Sequence, residues 1–423
     1  MAPDPAAAAR RYRWVIFWTL AGGYVLVYFH RLCPAVVAVD MMADLAAGGT
    51  LLGILSAAYF YPYALMQLPA GLLSDSWGPR RTVTASFFVA TAGSLLLAMA
   101  PTVSAAIAGR VLVGLGVSML FVPTMKILAE WFVPAEFATM TGILLAMGGL
   151  GSLAAAAPLA WLSGRIGWRL FFAAVGGLTL LLAGLVWRFV RDSPARMGWP
   201  APGPRPAYPL DPLSLGEGVR RVLTHPPFWP LAAWFFFECA VFFSFGGLWG
   251  GPYMIHVHGL SKGETGRILS MLAVGMAVGS PLLGALSNRV FRARKPVIVL
   301  ASAVTVGLTA WLALAPRAIS VPGLYALCLA LGAFTSAVVV VGFTAAKELF
   351  PVQIAGTATG LVNLFPFAGG AVFQPVLGAV LEHYRVAGGF SAEGYAAAFR
   401  VLWACAVVAL AASLALRETF PGR

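Results

Sequence analysis

Twelve apolar runs, each long enough to cross a membrane, divide this chain and limit what it can fold into. They lie at 14–39, 51–73, 83–100, 104–131, 139–162, 169–190, 228–255, 265–287, 296–315, 322–346, 354–381 and 397–416. A hydrocarbon layer about 30 Å thick needs roughly 20 helical residues to span it. Every backbone N–H and C=O inside it must be bonded within the protein, which only helices and closed barrels achieve. Barrel strands alternate polar and apolar positions over about ten residues, whereas these runs are continuous. The expected fold is therefore all-α and polytopic. Composition agrees: 60% of residues are hydrophobic and 10% charged, against about 25% charged in a soluble domain.

Basic residues set the orientation. Of the 28 Lys and Arg, with those at the edge of a run assigned to the side they border, 18 fall to the N-terminal tail, the even-numbered gaps and the C-terminal tail, seven to the opposite side and three lie deep inside the runs. The positive-inside rule then places both termini in the cytoplasm, as expected for a multi-pass protein of a bacterial inner membrane. The same asymmetry accounts for the net charge of +13, and no basic folded face suggests a nucleic-acid partner. The first run is longer than a signal-peptide core and is read as a retained helix. Cys33, Cys239, Cys328 and Cys405 all lie in apolar segments without metal-ligand spacing. No metal and no cofactor are expected, and no phosphate-binding loop of the G-x-x-x-x-G-K-S/T type is present.

The longest polar gap, Arg191 to Pro227, is rich in Pro and Gly and falls near the middle of the chain. It reads as a cytoplasmic linker at 191–227 between six-helix bundles at 1–190 and 228–423. The halves repeat. Gly71-Leu-Leu-Ser-Asp75 returns as Gly284-Ala-Leu-Ser-Asn288, and "WFVPAEFATMTGI" returns as "LFPVQIAGTATGL". Internal repeats of half the chain mark secondary transporters, whose site lies near the midplane between repeats. The expectation is two pseudo-symmetric six-helix bundles. Gly275 and Gly279 form a small-residue pair suited to close helix packing.

"GLLSDSWGPRR" interrupts the apolar sequence between the second and third runs. Gly71 is expected at a close helix approach. Asp75 sits where the helix leaves the membrane, within reach of a helix N-terminus or a guanidinium. Gly78 and Pro79 make the turn, and Arg80 and Arg81 hold it in the cytoplasm. Such a cluster reads as a latch that forms in one arrangement of the halves and breaks in the other. This stretch resembles the signature loop of the major facilitator superfamily, G-x-L-a-D-r-x-G-r-k. Gly71, Leu73, Asp75, Gly78 and Arg80 match it, while Ser76 and Pro79 depart from it. "GRVLVGLG", with Arg110, Gly114 and Gly116, resembles a second element of that superfamily. "GWRLFF", Gly167 to Phe172, is similar to its organophosphate and organic-anion branches, and Arg31 stands where those branches place a substrate arginine. The second arginine of organophosphate carriers is missing from the seventh helix, where Ser244 occupies the corresponding region. The resemblance implies the twelve-helix fold, alternating access and a monomer.

Charges inside the runs supply the site candidates, because an arginine near a helix centre costs at least about 2.5–3.5 kcal/mol to bury. Tyr24, Tyr28 and Arg31 share one helical face, and Arg31 is suited to grip a carboxylate through two parallel hydrogen bonds. Tyr59, Tyr63 and Gln67 share a face of the second helix, as do Asn363, Phe367 and Gln374 on the eleventh. Lys126 is a second candidate anion contact, and Phe242 a ring facing the substrate. Glu238 is the one acidic residue deep in a run. It is read as a proton-loading carboxyl or as the partner of Arg31, and the two readings merge if substrate displaces Glu238 from Arg31. His30 is a second proton candidate. Arg110 is expected to make a structural or gating bond, and Asp40 and Asp44 to cap or gate the outer end.

The expected function is secondary active transport of a small organic anion, a carboxylate, by proton symport or exchange. A proton-driven exporter of drugs or metabolites is the nearest alternative, and a transporter-like receptor that senses without moving its ligand is another. No nucleophile–base set points to an enzyme. Substrate anion, protons and lipid are the expected partners.

Overall fold

A computed structural model describes residues 5–200 and 215–420, and they are almost entirely helical. We number the crossings α1 to α12. α1 is Pro5–Leu32, continued after Cys33 by Pro34–Asp44. α2 is Gly49–Leu65 and Pro69–Ser76, bent by 55° between them. α3 is Pro79–Met99 and α4 is Val103–Trp131. α5 starts as Pro134–Ala154 and ends in the first residues of Ala157–Phe189. That run breaks at Gly167, whose φ of 77° suits glycine, and the remainder is α6. The second half comprises α7 (Phe228–His258), α8 (Lys262–Val290), α9 (Lys295–Leu314), α10 (Val321–Glu348), α11 (Gly356–Glu382) and α12 (Ala392–Leu414). Ten runs are each long and apolar enough to cross a membrane, the bent pair is another crossing, and the shorter Thr139–Ala154 completes the set. The fold is an all-α polytopic membrane protein of two pseudo-symmetric six-helix bundles.

Breaks are unevenly shared. α3, α6, α9 and α12 are continuous. The other eight are interrupted: α1 at Cys33, α2 near Ala58 and Met66, α4 at Met119, α5 at Ala155, and α11 at Asn363. α7, α8 and α10 instead widen into π-helix at Phe245–Trp249, Leu286–Val290 and Val338–Gly342. The halves meet through interrupted helices, α2 along α11 and the C-terminal part of α5 against α8, whereas α3 packs on α4 and α6 inside its own half.

The repeat also appears in how helices are capped. After α6, the Asp192 carboxylate accepts from the Arg80 backbone N–H at 2.6 Å, at the start of α3. After α12, the Glu418 carboxylate accepts from the Arg294 and Lys295 N–H groups at 2.8 and 3.1 Å, at the start of α9. A carboxylate at a helix N-terminus satisfies orphan donors and opposes the helix dipole. Residues 191–200 are bound beneath the first half: Trp131 Nε1 donates to Arg191 O at 2.8 Å, and Tyr12 packs edge-on to Trp199. Residues 201–214 of the expected linker lie outside the described residues. Leu215–Leu223 forms a short helix against the N-terminal end of α11.

Gly275 and Gly279 bring α8 onto α10. A Cβ at these positions would stand 2.1 Å from Leu329 O and 2.2 Å from Ala333 O. Gly279→Leu is expected to lower the thermal transition in detergent by several degrees, in line with about 1–3 kcal/mol for an overpacked site. A transition equal to the wild type's would show that these helices do not meet there.

Candidate functional site

The centre of the molecule is organised by Pro34. A proline has no N–H, so the carbonyl four residues back in its helix loses its partner. Here that carbonyl is His30 O, and the buried Arg110 guanidinium of α4 donates to it through Nη1 at 2.9 Å. The break ties α1 to α4 and sets the heading of residues 28–31. His30 turns inward, with Nε2 3.5 Å from Ser94 Oγ and its ring stacked on Phe172. It therefore lies inside the first bundle rather than among the Arg31 rings. Arg110 also lies 5.1 Å from the Tyr59 ring, in keeping with a structural bond.

Arg31 takes the opposite heading and enters an aromatic cage built by both halves. Its guanidinium carbon is 4.5 Å from the Tyr28 ring centre, 4.8 Å from Phe367, 5.1 Å from Tyr63 and 5.9 Å from Phe243. α1 and α2 supply two of these rings, α7 and α11 the others. The side chain is buried, and its Nε has no hydrogen-bond partner. No carboxylate lies within ion-pair distance of it among the described residues. Tyr24 packs on Tyr28 at 5.4 Å, and Tyr63 lies 4.3 Å from Phe367 across the interface between the halves. One turn nearer the Asp75 end, Asn363 Nδ2 donates to Gln67 Oε1 at 3.0 Å, so this amide pair also joins the halves.

Several expected contacts lie elsewhere. Lys126 does not reach the cage; it forms an ion pair with Asp75 and donates to Gly71 O at 3.2 Å. Phe243, rather than Phe242, faces Arg31. The face shared by Glu238, Phe242 and Phe245 turns into the second bundle, where Phe245 packs on Phe399. Glu238 is likewise buried in that bundle, with Oε1 2.6 Å from Thr305 Oγ1 of α9 and Oε2 unpartnered. It does not pair with Arg31, so substrate does not compete with it for the guanidinium in this arrangement. Tyr59 donates to Val27 O at 3.2 Å. Gln374 Nε2 donates to Phe243 O at 2.8 Å, leaving Oε1 buried without a partner.

The loop after α2 also differs from the expected latch. Asp75 bonds Lys126 and neither Arg80 nor Arg81. Asp192 instead accepts from the Arg80 N–H and from Arg196 Nη1 at 2.7 Å. Arg80 stacks on Trp187 at 4.3 Å and donates to its carbonyl oxygen. Arg81 is exposed. Gly78 makes the expected turn at φ 91°. Gly71 is not a close approach, since a Cβ there would meet nothing within 4 Å. Asp192 was missed, although "RDSPAR" directly after a predicted helix carries the signal of a carboxylate at a chain reversal.

The two ends of the inter-bundle interface are unlike. At the end of α1, Asp40 pairs with Lys262 of α8, and Glu382 of α11 accepts from the Gly49 N–H that starts α2. A Cβ on Gly251 of α7 would overlap Ala35 O of α1. Asp44 stays within its own half, bonded to Trp168 Nε1 at 2.8 Å. At the Asp75 end, Gly142, Gly356 and Gly360 have open space where a Cβ would stand. The described residues hold no cluster of three His, Cys, Asp or Glu side chains able to bind a metal.

Comparison with known proteins places this geometry. Residues 20–374 and 239–421 match the Major Facilitator Superfamily family model. The chain is 24% identical over 409 residues to the uncharacterized transporter YybO of Bacillus subtilis (strain 168), covering 92% of each protein. It is 25% identical to the glycerol-3-phosphate transporter of the same organism, covering 91% of this chain and 89% of that protein. Its hexuronate transporter is 24% identical over 67% of this chain and 66% of its own length. Among solved structures, a bacterial homolog of the human lysosomal transporter Spinster, inward-facing and unoccupied, superposes with a TM-score of 0.78 at 19% identity, covering 95% and 96% of the two chains. A D-xylose–proton symporter superposes with a TM-score of 0.72 at 16% identity, covering 97% and 98%. With most of its length matched by the family model and its fold shared, the chain belongs to the major facilitator superfamily.

Proposed function

We propose that this protein is a secondary transporter that moves a small organic anion across the membrane by alternating access, with Arg31 holding the substrate carboxylate. One observation carries the reading: a buried guanidinium, without a carboxylate partner, sits among rings contributed by both halves. An uncompensated buried charge is costly, and an anionic guest removes that cost only while it is bound. Nε, on one edge of the guanidinium, is buried and unbonded. A planar two-oxygen acceptor matches that edge. A phosphate dianion would call for a second cation, but Lys126 is engaged by Asp75 and Arg110 by His30 O. Relatives named for hexuronate and glycerol-3-phosphate support an anionic substrate class.

Because the rings come from both halves, the guest would hold them together around itself. Transport requires that it stabilise this closed arrangement relative to the open ones, since equal affinity shifts no population. Glu238 is the proposed proton-loading group for symport. It has no cationic partner, and one of its oxygens is unbonded. With both termini in the cytoplasm, the Asp40–Lys262 end faces outward and the Asp75 end inward.

Small carboxylates are expected to raise the thermal transition of the wild type and to leave Arg31→Ala unmoved. Losing one partner of a buried charge pair costs about 2–5 kcal/mol, so affinity should fall at least about thirtyfold. The same stabilisation in both proteins would remove Arg31 from the site. Glu238→Gln, reconstituted in liposomes, is expected to keep anion counterflow and lose accumulation driven by a pH gradient. Undiminished accumulation in that variant would exclude Glu238 from coupling.

A further inference from the structure

Outside the bundle interface, the described residues include a lipid-facing cavity of about 420 Å³ between the start of α3 and the end of α6. Trp77, Arg81, Thr84, Ala85, Phe88 and Trp187 line it. Three of these residues, Trp77, Phe88 and Trp187, are more than half exposed. From Arg81 to Phe88 the helix advances seven residues, about 10 Å at 1.5 Å per residue. That is about a third of the hydrocarbon thickness. The cavity thus runs from headgroup level into the acyl region of one leaflet.

Its mouth is positive. Arg81 makes no ion pair among the described residues, and the Arg80 guanidinium, on the Trp187 ring, meets a carbonyl rather than a carboxylate. Of the nearby carboxylates, Asp192 after α6 is taken by the Arg80 N–H and Arg196, and Asp75 by Lys126. An ammonium headgroup would find no free acid here, whereas a phosphodiester finds two guanidiniums. We infer that this groove seats one anionic phospholipid, its phosphate on Arg81 and an acyl chain along Thr84, Ala85 and Phe88 between the Trp77 and Trp187 rings. The occupant follows from charge complementarity at the mouth and the apolar lining below it. The substrate site plays no part, so this inference stands or falls separately from the proposed transport.

Native mass spectrometry tests it on the full chain supplied with equimolar phosphatidylglycerol and phosphatidylethanolamine of matched acyl chains. The wild type is expected to retain phosphatidylglycerol preferentially. Arg81→Gln should cut that preference about fivefold, the worth of one arginine at a membrane surface. Ala85→Trp, which fills the groove and keeps Arg81, should abolish retention of the tight lipid. Arg165→Gln removes a guanidinium that lies 4.3 Å over Trp161, away from this groove, and should change nothing. Equal retention of both lipids by the wild type would overturn the assignment. An undiminished preference in Arg81→Gln would do the same. Tight retention by Ala85→Trp would refute the groove as the seat. Size-exclusion profiles matching the wild type's show that each variant is folded.

Discussion

Each backbone carbonyl within a bilayer must find a donor, and prolines make that demand specific. Pro34, Pro123 and Pro375 free His30 O, Met119 O and Ala371 O, four residues back in their helices. Each has a side-chain neighbour from another helix: Arg110 at 2.9 Å, Ser86 at 3.4 Å and Tyr61 at 2.9 Å. An unsatisfied carbonyl in hydrocarbon costs several kcal/mol, so these interruptions are fixed by tertiary partners. The first two bonds lie within the N-terminal half and make it a unit. The third crosses between halves, from α2 to α11, and must break when they separate. Continuous α3, α6, α9 and α12 need no such bonds, which suits them to the role of outer support.

Buried charge follows the same division. Arg294 is satisfied within its half by Glu348, at 2.8 and 3.0 Å, and by Ser287. Arg110 is spent on a carbonyl and Lys126 on Asp75. Arg31 differs in standing among rings from both halves without an acid, and Glu238 in having a hydroxyl and no base. The two are not in contact, so in the proposed cycle they communicate through α7, which carries both Glu238 and the cage ring Phe243. Directly after Phe243 the helix widens at Phe245–Trp249. π-Helical segments of this kind are frequent at functional sites, and this one lies where a shift of α7 would move the cage.

The spans, the repeat and the placement of Arg31 inside an apolar run were legible because they depend on composition and period alone. Which face of a helix looks where was less legible. Phe242 and Phe243 differ by about 100° of rotation, and only the packing of Phe245 on Phe399 decides between them. Long-range partners were hidden for another reason. Asp75 and Lys126 are 51 positions apart, and the Asp192 carboxylate and the Arg80 N–H it caps are 112 apart, so no local spacing links them. Arg80 and Arg81 looked like the natural partners of Asp75 because they are near in sequence. The turn at Gly78 points them toward α6 instead.

The contacts that close the cage differ in strength at its two ends. Toward the Asp75 end, a neutral amide bond, Asn363 to Gln67, joins the halves beside the rings among the described residues. A bond of that kind is worth about 1 kcal/mol net. Toward the opposite end stand an ion pair, a carboxylate on a helix N-terminus and a glycine contact too tight for any side chain. Charge-assisted bonds are roughly twice as strong as neutral ones, and all of these must break together for the halves to part there. By the described contacts, the lower-cost opening without a guest is therefore toward Asp75. In the proposed cycle, an anion on Arg31 changes the balance by drawing the rings of α1, α2, α7 and α11 inward. Opening the far end then requires this gain to be larger in the closed state than in either open one. In the proposed cycle, the cage that recognises the anion is thus also the element whose closure moves it.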